Sequence, residues 1–399
     1  MSKLLITSNI YVIGVLSERD NYDMKILYVT TIGTTMSFFR DFIEKLVEEG
    51  HEVDIACNEN ISPVPDFFKQ LHCRIHKISC LRKPWSFSNV KAIKEIKSLV
   101  IEQNYDIVHC HTPIAAMCTR VACRSLRKNV KVVYTAHGFH FFKGAPMVNW
   151  LIYYPIEWIC SFFTDVLITI NNEDYARAKK HMHAKKIEYI PGIGVDTEAI
   201  DSIEISKTDM RKELNIPETD IVILSVGELN DNKNQEIIIR AISKLDNNNI
   251  TYVLCGIGDK EKRLSELSEE LSLQDKVKLL GYRNDVMKIY KCADIFAFPS
   301  KREGLGLAAL EAMSSGLPII TSNVHGIRDY SDFGKTGYNC SPNDIDSFAK
   351  YMKILAEDEE LRKKMGLYCT EVAKKFDIKN TNVMMKKIYE NVKYDYMPK

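Results

Sequence analysis

Short apolar runs alternate along the chain with longer segments whose apolar residues recur at helical spacing. The run at residues 25–31 precedes a segment in which Phe39, Phe42, Ile43 and Leu46 share one predicted helix face. Four further runs read as strands, at residues 52–57, 106–111, 131–137 and 165–170, and helical patterns at 88–103 and 115–127 separate some of them. Strands that alternate with helices predict a parallel sheet covered on both faces.

A second series of the same kind begins near residue 220. Its strand-like runs lie at residues 220–229, 250–258, 276–282, 294–300 and 318–323. The segment 190–202 between the series is rich in glycine and turn residues, so we interpret it as a hinge. The predicted fold class is α/β, with two Rossmann-like doubly wound domains facing each other across a cleft. Ligands bind such sheets beyond the carboxyl ends of the strands, which makes the cleft the predicted site.

The patterns also give domain limits. We predict one Rossmann-like domain at 24–195, a second at 196–376 and a closing helix at 377–399. Residues 1–23 are interpreted as an N-terminal extension, because Met24 and Lys25 directly precede a buried strand. Either translation starts at Met24 or these residues form a loosely ordered extension. Their apolar run contains Thr and Asn and is too short to span a membrane.

The composition and net charge limit the classes of partner that the protein is expected to bind. The 399 residues are 45% hydrophobic and 27% charged, as in globular proteins, and the net charge of +1 argues against a general nucleic-acid binder. Residues 24–195 carry 22 Lys and Arg against 16 Asp and Glu, a net charge of +6. This excess suits an anionic partner such as a membrane surface or a phosphate-bearing substrate. A scattered, solvated set of surface charges explains it equally well.

Eleven cysteines without a Cys-x-x-Cys pair indicate reduced, buried thiols and a cytoplasmic location. The His109–Cys110–His111 run has metal-binding residue types. On a strand, however, the two histidines share one face and the cysteine points the other way. No second ligand cluster follows at zinc spacing, so we predict no metal site.

Four places, at strand ends or helix starts, carry residues suited to binding phosphate or hydroxyl groups. The Gly33 turn after the first strand can offer amides to phosphate, or can be an ordinary turn. His137 follows a central strand directly and belongs either to the site or to the packing. Lys233 precedes a helix, where it can meet a diphosphate without a metal or can be a surface lysine. The fourth place, residues 302–318, holds Glu303 and Glu311 around a Gly-Leu-Gly-Leu run.

In that stretch Gly304 and Gly306 disfavour helix, so Glu303 is predicted to lie in a loop before a helix that contains Glu311. The glycines let backbone amides approach phosphate oxygens closely. The acids are better aimed at hydroxyls, since a carboxylate beside phosphate is repelled by it. A turn followed by an ordinary surface glutamate is the alternative.

The stretch REGLGLAALEAMSSGLPII, with GELNDNK upstream, resembles the Glu-x7-Glu motif of retaining nucleotide-sugar glycosyltransferases with the GT-B fold. The runs TAHGFHFF and DIVHCHTP are similar to the glycosyltransferase family 4 branch that builds bacterial exopolysaccharide and capsule. The resemblance covers residues 24–399. It implies that 24–195 is the acceptor domain and 196–376 the nucleotide-sugar domain, and that a sugar passes from a UDP-sugar to a polyprenyl-diphosphate-linked glycan. No DxD-like metal motif is clear in the sequence, so we expect no cofactor and no metal.

The resemblance also implies roles for individual residues. Glu303 would contact the donor sugar, beside the backbone of Gly304, Leu305 and Gly306. Glu311 would hold the ribose, and Lys233 and the Gly33 turn would contact the diphosphate. The loop of Arg283 would contact the base, and His137 would lie beside the reacting sugar. Many members have arginine five residues before the lysine, where this chain has Glu228. Arg302 is a substitute cation for that position.

Two rival functions share this architecture. A UDP-sugar 2-epimerase would turn over its substrate without an acceptor, and a sugar-nucleotide-binding assembly protein would not turn it over at all. The aromatic segment around Trp150, Trp158 and Phe162 suits the interface of a bilayer, or a buried helix of the first domain. The former interpretation predicts peripheral contact with the inner face of the cell membrane.

Overall fold

The computed structural model describes residues 23–245 and 249–394, so the proposed extension, apart from Asp23, lies outside the described residues. The first unit is a parallel seven-stranded sheet in the order β3-β2-β1-β4-β5-β6-β7. Its strands are β1 (Lys25–Val29), β2 (Glu52–Cys57), β3 (Ile75–Lys77), β4 (Ile107–His111), β5 (Lys131–Ala136), β6 (Val166–Thr169) and β7 (Lys186–Tyr189).

Helices cover both faces of this sheet, as the alternating pattern predicted. The helices are α1 (Arg40–Glu48), α2 (Asp66–Gln70), α3 (Phe87–Gln103), α4 (Pro113–Cys123), α5 (Met147–Ser161) and α6 (Asn172–His181). The predicted first helix is divided, because a 3-10 helix at Gly33–Phe39 precedes α1. Two apolar clusters lie on opposite faces of the sheet, since Ile26 and Tyr28 belong to one and the alternate residue Leu27 to the other.

The second unit is a parallel six-stranded sheet in the order β10-β9-β8-β11-β12-β13. Its strands are β8 (Ile221–Val226), β9 (Ile250–Cys255), β10 (Val277–Leu279), β11 (Ile295–Phe298), β12 (Ile319–Ser322) and β13 (Gly337–Cys340). Its helices are α7 (Thr197–Asp201), α8 (Lys207–Glu213), α9 (Glu236–Ile242), α10 (Glu261–Glu270), α11 (Val286–Cys292), α12 (Leu307–Ser314), α13 (Ile345–Glu357) and α14 (Glu359–Ala373), with 3-10 turns at His325–Asp329 and Lys374–Phe376.

The chain passes between the two sheets in neighbouring segments. The amide of Val195 donates to the Phe376 carbonyl at 2.9 Å, and the Val195 carbonyl accepts from the Ile378 amide at 2.9 Å. Gly194 makes this pairing possible: its φ is +82°, and a Cβ there would lie 2.4 Å from Cα of Ile378. The crossing therefore consists of two hydrogen-bonded segments, which limits the motions available to it.

The last helix, α15 (Ile378–Tyr394), returns to the first unit; residues 395–399 of the proposed closing helix lie outside the described residues. Its Tyr389 hydroxyl lies 2.9 Å from that of Tyr28 and 2.6 Å from Nδ1 of His109. All three side chains are buried. The first core is thus completed by a residue from the far end of the chain.

Candidate functional site

The candidate site lies where the carboxyl ends of the two sheets meet. His137 follows β5 directly, and the loop of Glu303 follows β11. The two loops touch through glycines. A Cβ at Gly304 would lie 2.2 Å from the His137 carbonyl oxygen, and one at Gly138 would lie 2.7 Å from Cα of Gly304. Only backbones without side chains can pack this closely, which brings His137 and Glu303 to the same contact.

Lys233 and Glu303 form an ion pair, although they lie in different loops. The Lys233 Nζ atom is 2.6 Å from Oε2 of Glu303, and the two side chains are 22% and 18% exposed. The ammonium also lies 4.8 Å from the ring centre of Phe298. Since an ammonium has three donors, the pair leaves donors available for a second anion. A cation and a carboxylate thus lie together at the strand ends, where the two sheets meet.

Gly306 starts helix α12 with a φ of +94°, and no side chain caps the helix. A Cβ at Gly306 would lie 2.6 Å from the Phe298 ring, so glycine is required by space as well as by conformation. The uncapped amides at this end carry partial positive charge and suit phosphate oxygens. Leu305 differs from its neighbours: its side chain is buried, and a Cβ at Gly192 would lie 2.4 Å from its Cδ2. Only its backbone can therefore take part in binding.

Glu311 lies inside α12, as the glycine pattern predicted. The Tyr290 hydroxyl donates to its Oε2 at 3.0 Å and lies 3.1 Å from the Ala308 carbonyl oxygen. Burial raises the pKa of Glu311, and the hydrogen bond from Tyr290 acts in the opposite direction. Tyr290 was not among the sequence-predicted residues, because nothing in its own helix distinguishes it from a core tyrosine.

Removing the Tyr290 hydroxyl should therefore alter the pH dependence. In Tyr290→Phe the Glu311 carboxylate loses a donor, so its already raised pKa rises further. If the ionised form is needed to bind ribose, activity is lost as pH falls through this pKa, and the acid limb of kcat/KM for donor shifts to higher pH. Profiles of wild type and Tyr290→Phe measure the shift, with Tyr252→Phe as a buried control whose partner is Ser225. Superimposable acid limbs would exclude this role for Tyr290.

His137 is exposed to the cleft, and its Nε2 lies 3.1 Å from Nδ1 of the buried His111. Desolvation by the surrounding protein lowers the pKa of both rings, so they are neutral at pH 7. His111 packs in turn on Phe39, with ring centres 4.1 Å apart. His137 thus contacts a second histidine, His111, which the sequence interpretation did not assign to the site.

The His109–Cys110–His111 run is structural in this conformation. His109 bonds to Tyr389 and to Thr135, at 2.6 and 2.8 Å, while Cys110 lies on the opposite face and donates to the Val133 carbonyl. In the described part of the chain, no three His, Cys, Asp or Glu side chains form a group that could hold a metal ion. The eleven cysteines are all buried and unpaired.

Two of the predicted donor contacts are already engaged. The Gly33 amide donates to the Ser62 carbonyl at 3.0 Å, and a Cβ there would lie 2.3 Å from the backbone of Pro63. Arg283 forms a fork with Asp285, at 2.8 and 2.6 Å, and also reaches Glu213. Either residue would have to change partners to bind a nucleotide with these groups.

Position 228, where many members of the resembling family have arginine, is an exposed glutamate in this structure. Arg302, the proposed substitute cation, is half-buried. Burial lowers the pKa of Arg302, and Glu303 is the nearest opposing influence. Its guanidinium forms no ion pair with any carboxylate of residues 23–245 and 249–394. Arg302 is therefore a cation available at the cleft. A substitute for the missing arginine at position 228 would need this property.

A polar contact between the units was missed by the sequence interpretation. His325 Nε2 lies 3.0 Å from Oδ1 of Asp174, and both side chains are fully buried. Asn171 donates to the Gly304 carbonyl at 3.0 Å. Asp174 and His325 are 151 positions apart, and neither belongs to a motif that would indicate the other. These contacts fix the Glu303 loop against the first unit.

Comparison with known proteins agrees with this architecture. Residues 206–372 match the family profile described as "Glycosyl transferases group 1", and residues 25–171 match "Glycosyl transferase 4-like". The glycosyltransferase EpsD of Bacillus subtilis (strain 168) is 34% identical over 371 residues, covering 92% of this chain and 96% of its own. A UDP-Gal:alpha-D-GlcNAc-diphosphoundecaprenol alpha-1,3-galactosyltransferase of Escherichia coli is 31% identical over 332 residues, covering 80% and 83%.

Solved structures share the fold. Anabaena HepE, crystallised with UDP and glucose, superposes with a TM-score of 0.77 at 19% identity, covering 92% of this chain and 100% of its own. Sucrose-phosphate synthase of Thermosynechococcus elongatus superposes with a TM-score of 0.79 at 19% identity, covering 93% and 100%. The predicted arrangement of two Rossmann-like sheets, GT-B, is confirmed. With its sequence relatives spanning nearly the whole chain, the protein belongs to the group 1 and glycosyltransferase 4-like family of glycosyltransferases.

Proposed function

We propose that this glycosyltransferase moves a sugar from a UDP-sugar to a polyprenyl-diphosphate-linked glycan, with retained anomeric configuration, in exopolysaccharide or capsule synthesis. The observation that carries the proposal is the Lys233–Glu303 pair, 2.6 Å apart, beside the uncapped start of α12. This arrangement supplies a cation and amides for the diphosphate and a carboxylate for sugar hydroxyls. Glu311 would hold the ribose, and the base would lie toward the loop of Arg283.

The mechanism would depend on the leaving group. Glu303 is paired with Lys233 and is aimed at hydroxyls, so no carboxylate is placed as an evident nucleophile. Retention would follow if the acceptor hydroxyl attacked from the face that the diphosphate leaves, with the diphosphate taking the proton. Lys233 and the α12 amides would stabilise the charge that develops on that leaving group, and the neutral His137 would orient the sugar.

The nature of the acceptor is supported by the relatives. One relative is named for transfer of galactose to a GlcNAc-diphosphoundecaprenol, and a second is EpsD of Bacillus subtilis. A lipid-linked acceptor would require the enzyme to work at the cytoplasmic face of a membrane. No described helix is both long and apolar enough to cross a bilayer.

The test is a transfer assay with single nucleotide-sugars and a short-chain polyprenyl-diphosphate-linked GlcNAc. Stabilisation by a nucleotide-sugar in a thermal-shift screen selects the donor, since saturation at 100 times Kd contributes about 2.7 kcal/mol. We expect product only when donor and acceptor are both present, with the configuration of the donor. Conversion of UDP-GlcNAc without acceptor would identify an epimerase, and binding without turnover would identify an assembly protein.

The transfer is expected to be independent of divalent metal, because Lys233 and backbone amides would neutralise the diphosphate themselves. Initial rates should be unchanged within about twofold after dialysis against a chelator, or on addition of Mg²⁺ or Mn²⁺. Abolition of turnover by the chelator, with recovery on adding one ion, would contradict this prediction and the assigned role of Lys233.

A further inference from the structure

Helix α5 exposes an apolar stripe along its whole length. Met147 and Leu151 are each 72% exposed, Val148 is 55% exposed, and the stripe continues through Pro155, Trp158, Ile159 and Phe162. The spacing of three or four residues places these side chains on one face of the helix, over about 22 Å at 1.5 Å per residue. The charged residue of α5, Glu157, points inward and pairs with Arg120 at 2.8 Å. The outer face of α5 is thus uncharged and apolar.

A second exposed apolar group lies at the start of α3. Trp85 is 78% exposed, Phe87 is 93% exposed and Val90 is 54% exposed. These are high values for large apolar side chains, and no buried cluster includes them. Nothing in the packing of the first unit requires a tryptophan and a phenylalanine at these positions. A ligand or partner surface is the ordinary explanation for such a patch.

The two groups belong to one side of the first unit. Helices α3 and α5 both pack against α4 between them, and their inner residues share one apolar cluster. Both helices also begin at the carboxyl edge of the sheet, because each returns from that edge in a parallel fold. Trp85 and Phe87 therefore lie at the same edge as Met147 and Leu151, and this is the edge that opens into the cleft.

Basic side chains surround the exposed aromatics. Residues 82–97 contain five Lys and Arg and one carboxylate, Glu95, which accepts from the Ser79 amide and hydroxyl. Arg82, Lys83, Lys91 and Lys94 are exposed, and Lys143 is exposed just before α5. Tryptophan with flanking cations suits the interface of an anionic bilayer, where the ring enters the headgroup region and the cations contact lipid phosphates.

We propose that the exposed face of α5 and the 82–94 segment together form a docking surface for an anionic lipid bilayer. This inference rests on the proposed lipid-linked acceptor and adds the surface that would bring the cleft to it. The docking surface lies on the acceptor side and reaches the cleft edge, so a bilayer bound there would leave the second unit clear. The diphosphate head of a lipid-linked glycan would then reach His137 without leaving the membrane.

Vesicle flotation tests the surface. Wild type should float with phosphatidylglycerol-containing vesicles and less with pure phosphatidylcholine, and added salt should weaken binding. Arg82→Glu/Lys83→Glu and Trp85→Ser/Phe87→Ser should each lower the bound fraction at least roughly tenfold. Leu151→Ser should weaken binding, whereas Leu367→Ser, equally 72% exposed but on α14 of the second unit, should not.

Three results would overturn the proposal. If wild type does not bind anionic vesicles, the docking surface is excluded. If Leu151→Ser and Leu367→Ser lower the bound fraction equally, the surface does not lie on α5. A stable dimer by light scattering that the Leu151→Ser change dissociates, without vesicle binding, assigns the face to a second copy of the chain. Transfer to a short, water-soluble acceptor separates the two proposals, because docking variants should retain it. Vesicle binding without any transfer would leave the surface standing and remove the proposed function.

Discussion

Replacing Lys233 with alanine should lower kcat by roughly two to three orders of magnitude, the usual effect of losing one preorganised group at a developing charge. The lysine is the cation paired with Glu303 at 2.6 Å, so its removal also leaves that carboxylate unpaired beside the diphosphate. The loss should appear mainly in kcat, because the charge on the leaving group grows in the transition state. Steady-state kinetics with varied donor measure both parameters.

The variant should stay folded. Removing one partner of an ion pair whose side chains are about a fifth exposed leaves the other charge unpaired and costs about 1–3 kcal/mol of stability. Lys260→Ala is the matched control, because Lys260 forms an exposed pair with Asp231, 2.9 Å away, in the neighbouring loop. Glu303→Ala should also be severely impaired, and the double variant should be less impaired than the product of the two single effects. Near-normal turnover in either single variant would remove that residue from the mechanism.

Gly304→Ala should abolish most of the activity, with a loss of a hundredfold or more, while leaving each unit folded. The added Cβ would lie 2.2 Å from the His137 carbonyl oxygen, which is backbone and cannot rotate away. The Gly304 carbonyl is itself closely packed, since a Cβ at Gly326 would lie 1.8 Å from it. The two units must separate locally, and displacement of about 1 Å between reacting groups commonly costs a hundredfold in rate.

Gly334→Ala provides the comparison for this prediction. A Cβ at Gly334 meets nothing within 4 Å, although its φ of +76° makes the substitution strained. That strain, about 1–2 kcal/mol, should appear in the melting temperature and not in turnover. Gly304→Ala should show the reverse order of effects: circular dichroism stays close to wild type, and turnover falls far more than the loss of melting temperature accounts for. Full activity in Gly304→Ala would mean that the contact between Gly304 and His137 is not needed for transfer.

Much of the fold was predictable because its signals are local. Ten of the strands lie within the segments that the apolar pattern predicted to be strands, and the glycine at 306 correctly indicated where α12 begins. Three strands were missed: β3, β7 and β13. They have three or four residues and form the outer positions of their sheets, so they carry little apolar pattern of their own. Pairing with a neighbour defines them more than their residues do.

The candidate site was predictable as a set of residue types, but not as a set of contacts. Lys233 and Glu303 were selected separately, and only the fold places the ammonium against the carboxylate. The sequence also did not predict the ion pair between Arg283 and Asp285, because the carboxylate of a nearby loop residue can point toward the arginine or away from it. The burial of Asp174 against His325 depends on the approach of two units, which no local pattern encodes.

The return of α15 to the first unit bears on how the protein is made. Tyr389, near the end of the chain, hydrogen-bonds Tyr28 and His109, which lie on β1 and β4 in the first half of the sequence. During synthesis, that half leaves the ribosome long before its last internal partner exists. Until translation ends, Tyr28 and His109 lack the hydrogen bonds that the Tyr389 hydroxyl makes with them. A ribosome stalled before residue 378 would therefore hold a first domain that has its sheet but cannot reach its final stability.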